Sequence, residues 1–249
     1  MSQQDDTSSL LSNKYHNKFI SGEYQYKDDN EVYAREKFTF FNTGKVLSNH
    51  YLEAKITARL KTSEVMTTTV KYLLTYQFDP IFIEIQRRLG ELNSLETYNY
   101  DSETRDLSYR FNNHASTVHF SNKIYFTTPS FASTCLMTNA KRVDPLQKTM
   151  YQIASSENIW EYKKPIQEST IFFEQQSLSK VQLDISGQTL EATHHKIYHS
   201  ETERSSATFQ DFFVSKHLNI PYKAQLSQTT FVYIESLNIH EDQFAKHLR

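Results

Sequence analysis

Apolar and polar residues alternate one by one along several long segments of this chain. Between residues 46 and 60, Leu52 and Ile56 lie on one face of an extended backbone, whereas Glu53 lies on the other. Side chains two residues apart project from the same side of a β-strand, so this pattern is typical of a strand with one buried face and one solvated face. The alternation recurs over residues 66–78. A mainly β fold follows from it.

We predict one strongly curved antiparallel sheet that forms an open half-barrel with one or two helices. The first helix is predicted within residues 127–139, where apolar residues recur at intervals of three and four. The same spacing predicts a second helix over residues 209–216. The chain has only four glycines. We therefore expect the curvature to come from bulges, prolines or strand twist rather than from glycine kinks.

The chain of 249 residues is long enough to bury a sizeable core. We predict a single β-barrel-like domain over residues 19–238, between a flexible leader (1–18) and a polar tail (239–249). The leader lacks the basic and apolar regions of a secretory signal, which predicts a cytoplasmic protein. The alternative is a periplasmic protein from which a signal peptide has been removed.

Composition argues against several classes of function. A formal net charge of -2 lacks the basic bias of nucleic-acid binders, and a single cysteine excludes an intramolecular disulfide or a zinc site of paired thiolates. Four glycines are too few and too scattered for a phosphate-binding loop. No segment is apolar enough to span a membrane as a helix. We expect neither a cofactor nor a nucleic-acid partner.

Histidines and the cysteine supply the chain's candidate chemical groups. His195 and His199 would share a helix face as metal ligands, but the surrounding alternation predicts a strand, on which they stand about 13 Å apart. We therefore predict no metal site. Cys135 lies in an apolar helical pattern, which favours a small core residue over a nucleophile. No catalytic residue can be assigned from these patterns.

Aromatic residues provide the strongest signal for a binding site. Sixteen tyrosines and seventeen phenylalanines are spread over alternating strand faces. Tyrosine combines an apolar ring with a hydroxyl, a combination common in the walls of small-molecule pockets, although a plain core is the alternative. The predicted ligand-binding residues are Tyr72, Tyr76, Phe78, Trp160, Tyr162, Phe172 and Tyr198.

The order of strands and turns resembles a known group of proteins. A strand at Gly22–Tyr26, a turn at Tyr100–Tyr109, a helix begun by Pro129–Phe131 and a late Asn219–Pro221 before the last strand carry the resemblance. The pattern is similar to the LolA-like open β-barrels and the related DUF3108 domains. That resemblance implies a curved sheet wrapped around a helix, and the binding of lipids or lipoproteins on an apolar concave face.

Three functions are compatible with these observations. The first is the binding of a hydrophobic small molecule, such as a lipid or fatty-acyl chain, in the cavity of the open barrel. The second is a cofactor-independent isomerase, cyclase or hydratase that acts on a hydrophobic substrate in the same cavity. The third is a protein-interaction module that uses an exposed sheet edge.

Overall fold

The structure is a computed structural model that describes residues 17–42, 48–155, 167–185, 187–198, 210–216 and 218–240. The first eight strands are β1 (Asn17–Asp28), β2 (Glu31–Asn42), β3 (His50–Arg59), β4 (Val65–Leu74), β5 (Pro80–Leu89), β6 (Leu92–Asp101), β7 (Asp106–Phe111) and β8 (His114–His119). The others are β9 (Tyr125–Phe126), β10 (Thr149–Ser155), β11 (Gln167–Gln175), β12 (Val181–Ile185), β13 (Gln188–Tyr198), β14 (Gln210–Ser215), β15 (Pro221–Gln225) and β16 (Thr230–Ile239). A 3-10 helix (Phe131–Ser133) and the α-helix α1 (Met137–Ala140) lie between β9 and β10.

The described strands form one sheet of 16 strands, which confirms the predicted fold class. Its order is β8-β7-β6-β5-β4-β3-β2-β1-β16-β15-β14-β13-β11-β10-β9, and β12 pairs with β13 beside this path. Only β9 and β10 pair in parallel among these described strands. The sheet is therefore two runs of mostly sequential hairpins, joined at a central seam where β1 pairs with β16.

Bulges interrupt the strand pairing at several places, as predicted for a sheet that curves with few glycines. The register of β1 shifts against both of its neighbours, and further shifts occur between β4 and β5 and between β14 and β15. Curvature without glycine was expected, but Gly22 lies within β1, beside the bulge at Glu23 and Tyr24. A Cβ atom there would stand 2.5 Å from the backbone oxygen of Ser236. Gly22 thus permits the close approach of β1 and β16 at the seam.

The inner face of the sheet carries the core. On β2, Ala34, Glu36, Phe38 and Phe40 are all buried and share one face. The segment 127–143, here called the plug, contains the 3-10 helix and α1 and packs against this face. Phe131 of the plug meets the Tyr24 ring edge-on at 4.9 Å and stacks on Phe212 at 5.7 Å. The curved sheet is therefore wrapped around the plug.

The predicted second helix is wrong, because residues 210–215 form strand β14. Phe212 and Val214 point into the core, while Phe213 stacks on His194 of β13 with ring centroids 4.6 Å apart. The sequence spacing of Phe209, Phe212 and Phe213 fits a helix and a strand about equally well. Pairing with β13 and β15 on both sides decides between them.

One end of the sheet is a short and polar edge. Strand β8 has six residues, and its exposed side chains are His114, Ala115, Thr117 and His119. A polar edge of this length offers little apolar surface for strand addition by a partner. Within the described residues, no helix has the length and apolar character needed to cross a membrane.

Candidate functional site

A cleft of about 640 Å³ lies between the plug and one end of the inner sheet face. Phe19 of β1, Phe173 of β11 and Val214 of β14 form apolar walls, and Val143 closes the plug side. These strands are distant along the chain but lie on the same side of the β1–β16 seam or at it. The order of the sheet therefore brings the walls together.

The plug is anchored by a carboxylate buried inside the barrel. Glu36 is completely buried, and it accepts hydrogen bonds from Ser130 Oγ (2.5 Å), from the Phe131 amide (2.9 Å) and from the Ala132 amide (3.4 Å). The Tyr26 hydroxyl donates a further hydrogen bond. The start of the 3-10 helix leaves backbone amides without partners inside the turn, and the carboxylate satisfies them. Glu36 thus fixes the plug, which forms one wall of the cleft.

Two opposing effects act on the ionisation of Glu36. Burial raises the pKa of this carboxyl, because a charge is poorly solvated in the core. Hydrogen bonds from Ser130, Tyr26 and the two plug amides lower it, but the pKa remains above its ordinary value. Burial is the largest cause of the raised pKa of Tyr26, and the Glu36 carboxylate raises it further. Tyr26 therefore stays a neutral hydroxyl that donates to the buried Glu36 carboxyl.

A strained turn presents an aromatic ring to the cleft. Phe78 has a φ of 65°, a left-handed conformation that is unfavourable for a bulky residue. The turn is held because Thr75 Oγ1 accepts a hydrogen bond from the Asp79 amide at 3.0 Å, and the Phe78 amide donates to Thr75 O. The Phe78 ring stacks on His50 with centroids 4.3 Å apart. This conformation costs about 1–3 kcal/mol, which the hydrogen bonds of the turn and the ring stacking offset.

His195 places a polar atom without a protein partner at the cleft. Its side chain is buried, and Nε2 lies 2.9 Å from Thr193 Oγ1. The Thr193 hydroxyl also lies 3.4 Å from the Val214 carbonyl oxygen, and the tautomer of His195 decides which atom donates in the contact with Nε2. Among the described residues, neither Nδ1 of His195 nor Oγ of Ser48, which also lines the cleft, has a hydrogen-bond partner. Buried polar atoms of this kind are suited to a ligand or a bound water.

Burial of His195 makes the stability of the protein depend on pH. Burial, with a smaller effect of His194, lowers the pKa of His195 from 6.5 to about 4. Between these two values the unfolded chain binds a proton that the folded protein does not, so acid favours unfolding. We expect the contribution of His195 to fall by up to about 3 kcal/mol as the pH drops from 7 to 4.

Urea unfolding over this pH range measures the effect. His195→Gln should show a shallower loss of stability in acid than the wild type, whereas the exposed control His240→Gln should follow the wild type. An unchanged slope in His195→Gln would assign the acid sensitivity to other groups.

The mouth of the cleft is positively charged. Arg142, at the end of the plug, and Lys216, after β14, are exposed and line the cleft. Asn139 of α1 holds the two segments together, because its Nδ2 donates to Leu218 O at 2.8 Å and its Oδ1 accepts from Asn219 Nδ2 at 3.1 Å. No aspartate or glutamate is among the described residues of the cleft wall. The mouth therefore favours anions electrostatically.

Two of the predicted ligand-binding residues lie at the cleft. Phe78 forms part of its wall, and Tyr76, which is 44% exposed, stands at its rim. Tyr72 is buried in the core of the sheet and does not line the cleft. The aromatic pattern therefore selected Tyr76 and Phe78 in the turn after β4. It did not distinguish aromatic rings in the core from those in the cleft wall.

The other predicted residues lie elsewhere or outside the described ranges. Phe172 and Tyr198 pair across β11 and β13, and the Lys148 ammonium lies 5.5 Å and 5.3 Å from their ring centroids. They form a separate cluster away from the cleft wall. Trp160 and Tyr162 belong to residues that the structure does not describe.

Sequence reasoning missed most polar residues of the site. The alternation around His195 predicts a strand residue and no metal site, but it does not indicate a cleft. Arg142 and Lys216 carry no local signal because residues from distant segments meet at the mouth. Glu36 had a usable signal, since it shares the face of Ala34 and Phe38 in an alternating segment. A charged residue on the apolar face of a strand indicates a buried, paired group.

Metal binding and thiol chemistry receive no support from the described residues. They contain no group of three or more histidine, cysteine, aspartate or glutamate side chains arranged for a metal ion. His194 Nε2 lies 2.7 Å from Asp211 Oδ1, within hydrogen-bond distance, and His199 lies outside the described ranges. Cys135 is fully buried, and burial raises the pKa of its thiol, which disfavours the reactive thiolate.

Comparison with known proteins supports the fold alone. No protein-family model matches the chain, and no curated protein matches it in sequence. The structure is similar to a β-barrel-like protein of the domain of unknown function DUF1849 from Brucella abortus, with a TM-score of 0.55 and 7% identity over 90% of this chain and 98% of that one. It is also similar to a DUF1089 family protein from Pseudomonas aeruginosa, with a TM-score of 0.53 and 7% identity over 80% of this chain and 91% of that one.

Proposed function

We propose that this protein binds a hydrophobic small molecule, such as a lipid or a fatty-acyl chain, in the cleft between the plug and the sheet. The observation that carries the proposal is a cleft of about 640 Å³ with Phe19, Phe78, Phe173 and Val214 in its walls. Small-molecule sites of soluble proteins have volumes of roughly 300–1,000 Å³ and mainly apolar walls with a few polar groups. The cleft meets the volume criterion, and its wall combines these apolar side chains with a comparable share of polar ones.

The resemblance to LolA-like and DUF3108 barrels supports the same proposal. In that architecture a curved sheet encloses a helix, and the concave face binds lipids or lipoproteins. Here the sheet encloses the plug, and the cleft lies where the plug leaves part of the inner face uncovered. The solved structures that are similar to this chain are described as domains of unknown function or by family number, so they add only the architecture.

A cofactor-independent isomerase, cyclase or hydratase is the second candidate. Two imidazoles, from His50 and His195, line the cleft and could act on a bound substrate. However, a pKa of about 4 makes His195 a weak base at neutral pH. Its Nδ1, which has no partner among the described residues, is better suited to a hydrogen bond with a bound ligand. Chemical change of a bound lipid, followed by mass spectrometry, would favour this candidate over simple binding.

A bulky substitution in the cleft wall tests the binding proposal. Val143 lines the cleft, packs only partly against the core and can be replaced by tryptophan at modest cost to folding. We expect Val143→Trp to weaken binding of the neutral fluorescent probe N-phenylnaphthylamine by roughly tenfold or more, since overfilling a packed site costs about 1–3 kcal/mol. Displacement of the probe by dodecanol gives the affinity for a plain alkyl chain.

The control variant carries the same change at a distant surface. Val65 is 55% exposed and does not line the cleft, so Val65→Trp should bind the probe as the wild type does. Native mass spectrometry of the purified protein, before and after solvent extraction, should also reveal a bound lipid. If folded Val143→Trp binds the probe and dodecanol like the wild type, the cleft is not the binding site.

A further inference from the structure

The Arg142 guanidinium at the mouth of the cleft has no hydrogen bond or ion pair with any described residue. The nearby Asp144 carboxylate is engaged elsewhere, because it accepts from the Leu146 amide at 2.9 Å and from Gln147 Nε2 at 2.7 Å. Arginine offers several planar donors that match the oxygens of a carboxylate or phosphate group. An exposed arginine with no carboxylate partner among the described residues is therefore available to an anionic ligand.

Lys216 adds a second positive charge to the same mouth. Lys180, which lies 2.7 Å from Glu191, is the main cause of the lowered pKa of that carboxyl, and Lys216 contributes a smaller electrostatic attraction. The hydrogen bonds from Asn139 to Leu218 and from Asn219 to Asn139 join the segment that carries Lys216 to the plug. This connection fixes the backbone segments that carry the two cations relative to each other, although the side chains themselves reach into solvent.

The interior beyond the mouth has a different character. Phe19, Phe173 and Val214 supply apolar walls. The buried polar side chains beside them are Ser48, His50, Thr138 and His195. No acidic side chain of the described wall opposes an anion at the mouth. The cleft thus combines a cationic rim with apolar interior surface on β1, β11 and β14, a distribution that suits an anionic amphiphile.

We propose that the ligand is an anionic amphiphile, whose carboxylate or phosphate head group is held by Arg142 and Lys216 while its alkyl chain occupies the apolar interior. This inference rests on the proposed function and names the class of ligand. Both head groups share the chemistry of a compact anion with several acceptor oxygens. Because the two cations are exposed, their contribution depends on salt concentration.

Three ligands with the same alkyl chain test the inference. Dodecanoate, dodecyl phosphate and dodecanol are compared by displacement of N-phenylnaphthylamine at low and high salt. We expect at least one of the two anions to bind roughly tenfold more tightly than dodecanol at low salt, and this preference to shrink at high salt. The double variant Arg142→Gln and Lys216→Gln should lose most of the preference and keep its affinity for dodecanol.

A matched pair of exposed cations provides the control. Lys55 and Arg59 lie on β3 with exposed side chains and do not line the cleft, so replacing both by glutamine changes the net charge equally. This control should retain the preference for the anion. The comparison of the two anions then shows whether the carboxylate or the phosphate is preferred.

The outcomes separate this inference from the function on which it rests. Equal affinities for dodecanol and both anions, or an anion preference that survives the Arg142 and Lys216 changes, would overturn the inference and leave alkyl-chain binding intact. If none of the three ligands binds, the proposed function fails together with the inference. A preference lost equally in the Lys55 and Arg59 control would show a general charge effect and also overturn it.

Discussion

Glu36→Ala is expected to lower the free energy of unfolding by about 3–5 kcal/mol. Removal of the carboxylate leaves the Ser130 hydroxyl, the Tyr26 hydroxyl and the Phe131 amide without their acceptor inside the core. It also leaves a cavity in a packed interior, which adds to the loss. Urea denaturation followed by circular dichroism measures the change.

Two further variants define the role of the Glu36 carboxylate. Glu36→Gln keeps one acceptor oxygen and should cost roughly 1–2 kcal/mol, less than the alanine change. The control Glu53→Ala, on the exposed face of β3, should cost less than about 0.5 kcal/mol. Because the plug forms a cleft wall, Glu36→Ala should also weaken binding of N-phenylnaphthylamine. Similar stabilities for Glu36→Ala and Glu53→Ala would show that the plug does not depend on this anchor.

Glu96→Leu is the second substitution with a large expected effect. The Arg87 guanidinium lies 2.6 Å from Glu96 Oε1, and the exposed fractions of the two side chains are 8% and 1%. The Tyr98 hydroxyl also donates to Glu96. Loss of the carboxylate alone leaves a buried cation unpaired, and the free energy of unfolding should fall by about 3–5 kcal/mol.

Replacing both members of the Arg87–Glu96 pair should be much less harmful than replacing one. Two apolar side chains of similar size need no solvation, so Arg87→Met with Glu96→Leu should recover most of the lost stability. The exposed pair Lys180–Glu191 is the control, and Glu191→Leu should cost about 0–1 kcal/mol. If the double change at Arg87 and Glu96 is as damaging as Glu96→Leu alone, the buried pair is not the source of the loss.

The strands were largely predictable because their information is local. On β2 and β3, residues two apart share an environment, and Phe38, Phe40 and Leu52 are buried as the alternation predicts. Strand β14 shows the limit of this signal, since Phe212 and Phe213 fit a helix until their partners on β13 are known. Propensity over so short a segment is weaker than the pairing of neighbouring strands.

The candidate site was less predictable because it is built by contacts between distant segments. Tyr76 and Phe78 belong to one turn and could be selected as aromatic residues beside a strand end. Arg142, Lys216 and His195 come together only through the plug and the strand order, which no local pattern encodes. The inward-facing Glu36 and Arg87 break otherwise apolar strand faces, and this irregularity was the available sign of buried polar contacts.

The seam between β1 and β16 has a consequence for folding during synthesis. Asp28 and Thr229, which are hydrogen-bonded across it, are 201 residues apart in the chain. Among the described strands, β2 to β8 pair only with strands that adjoin them in sequence. Local hairpins form before such long-range pairings, because closing a long loop costs conformational entropy. On the ribosome, β2 to β8 can fold while β16 is still being made. The cleft takes walls from β1 and β14, so it is completed only in the final stage of folding.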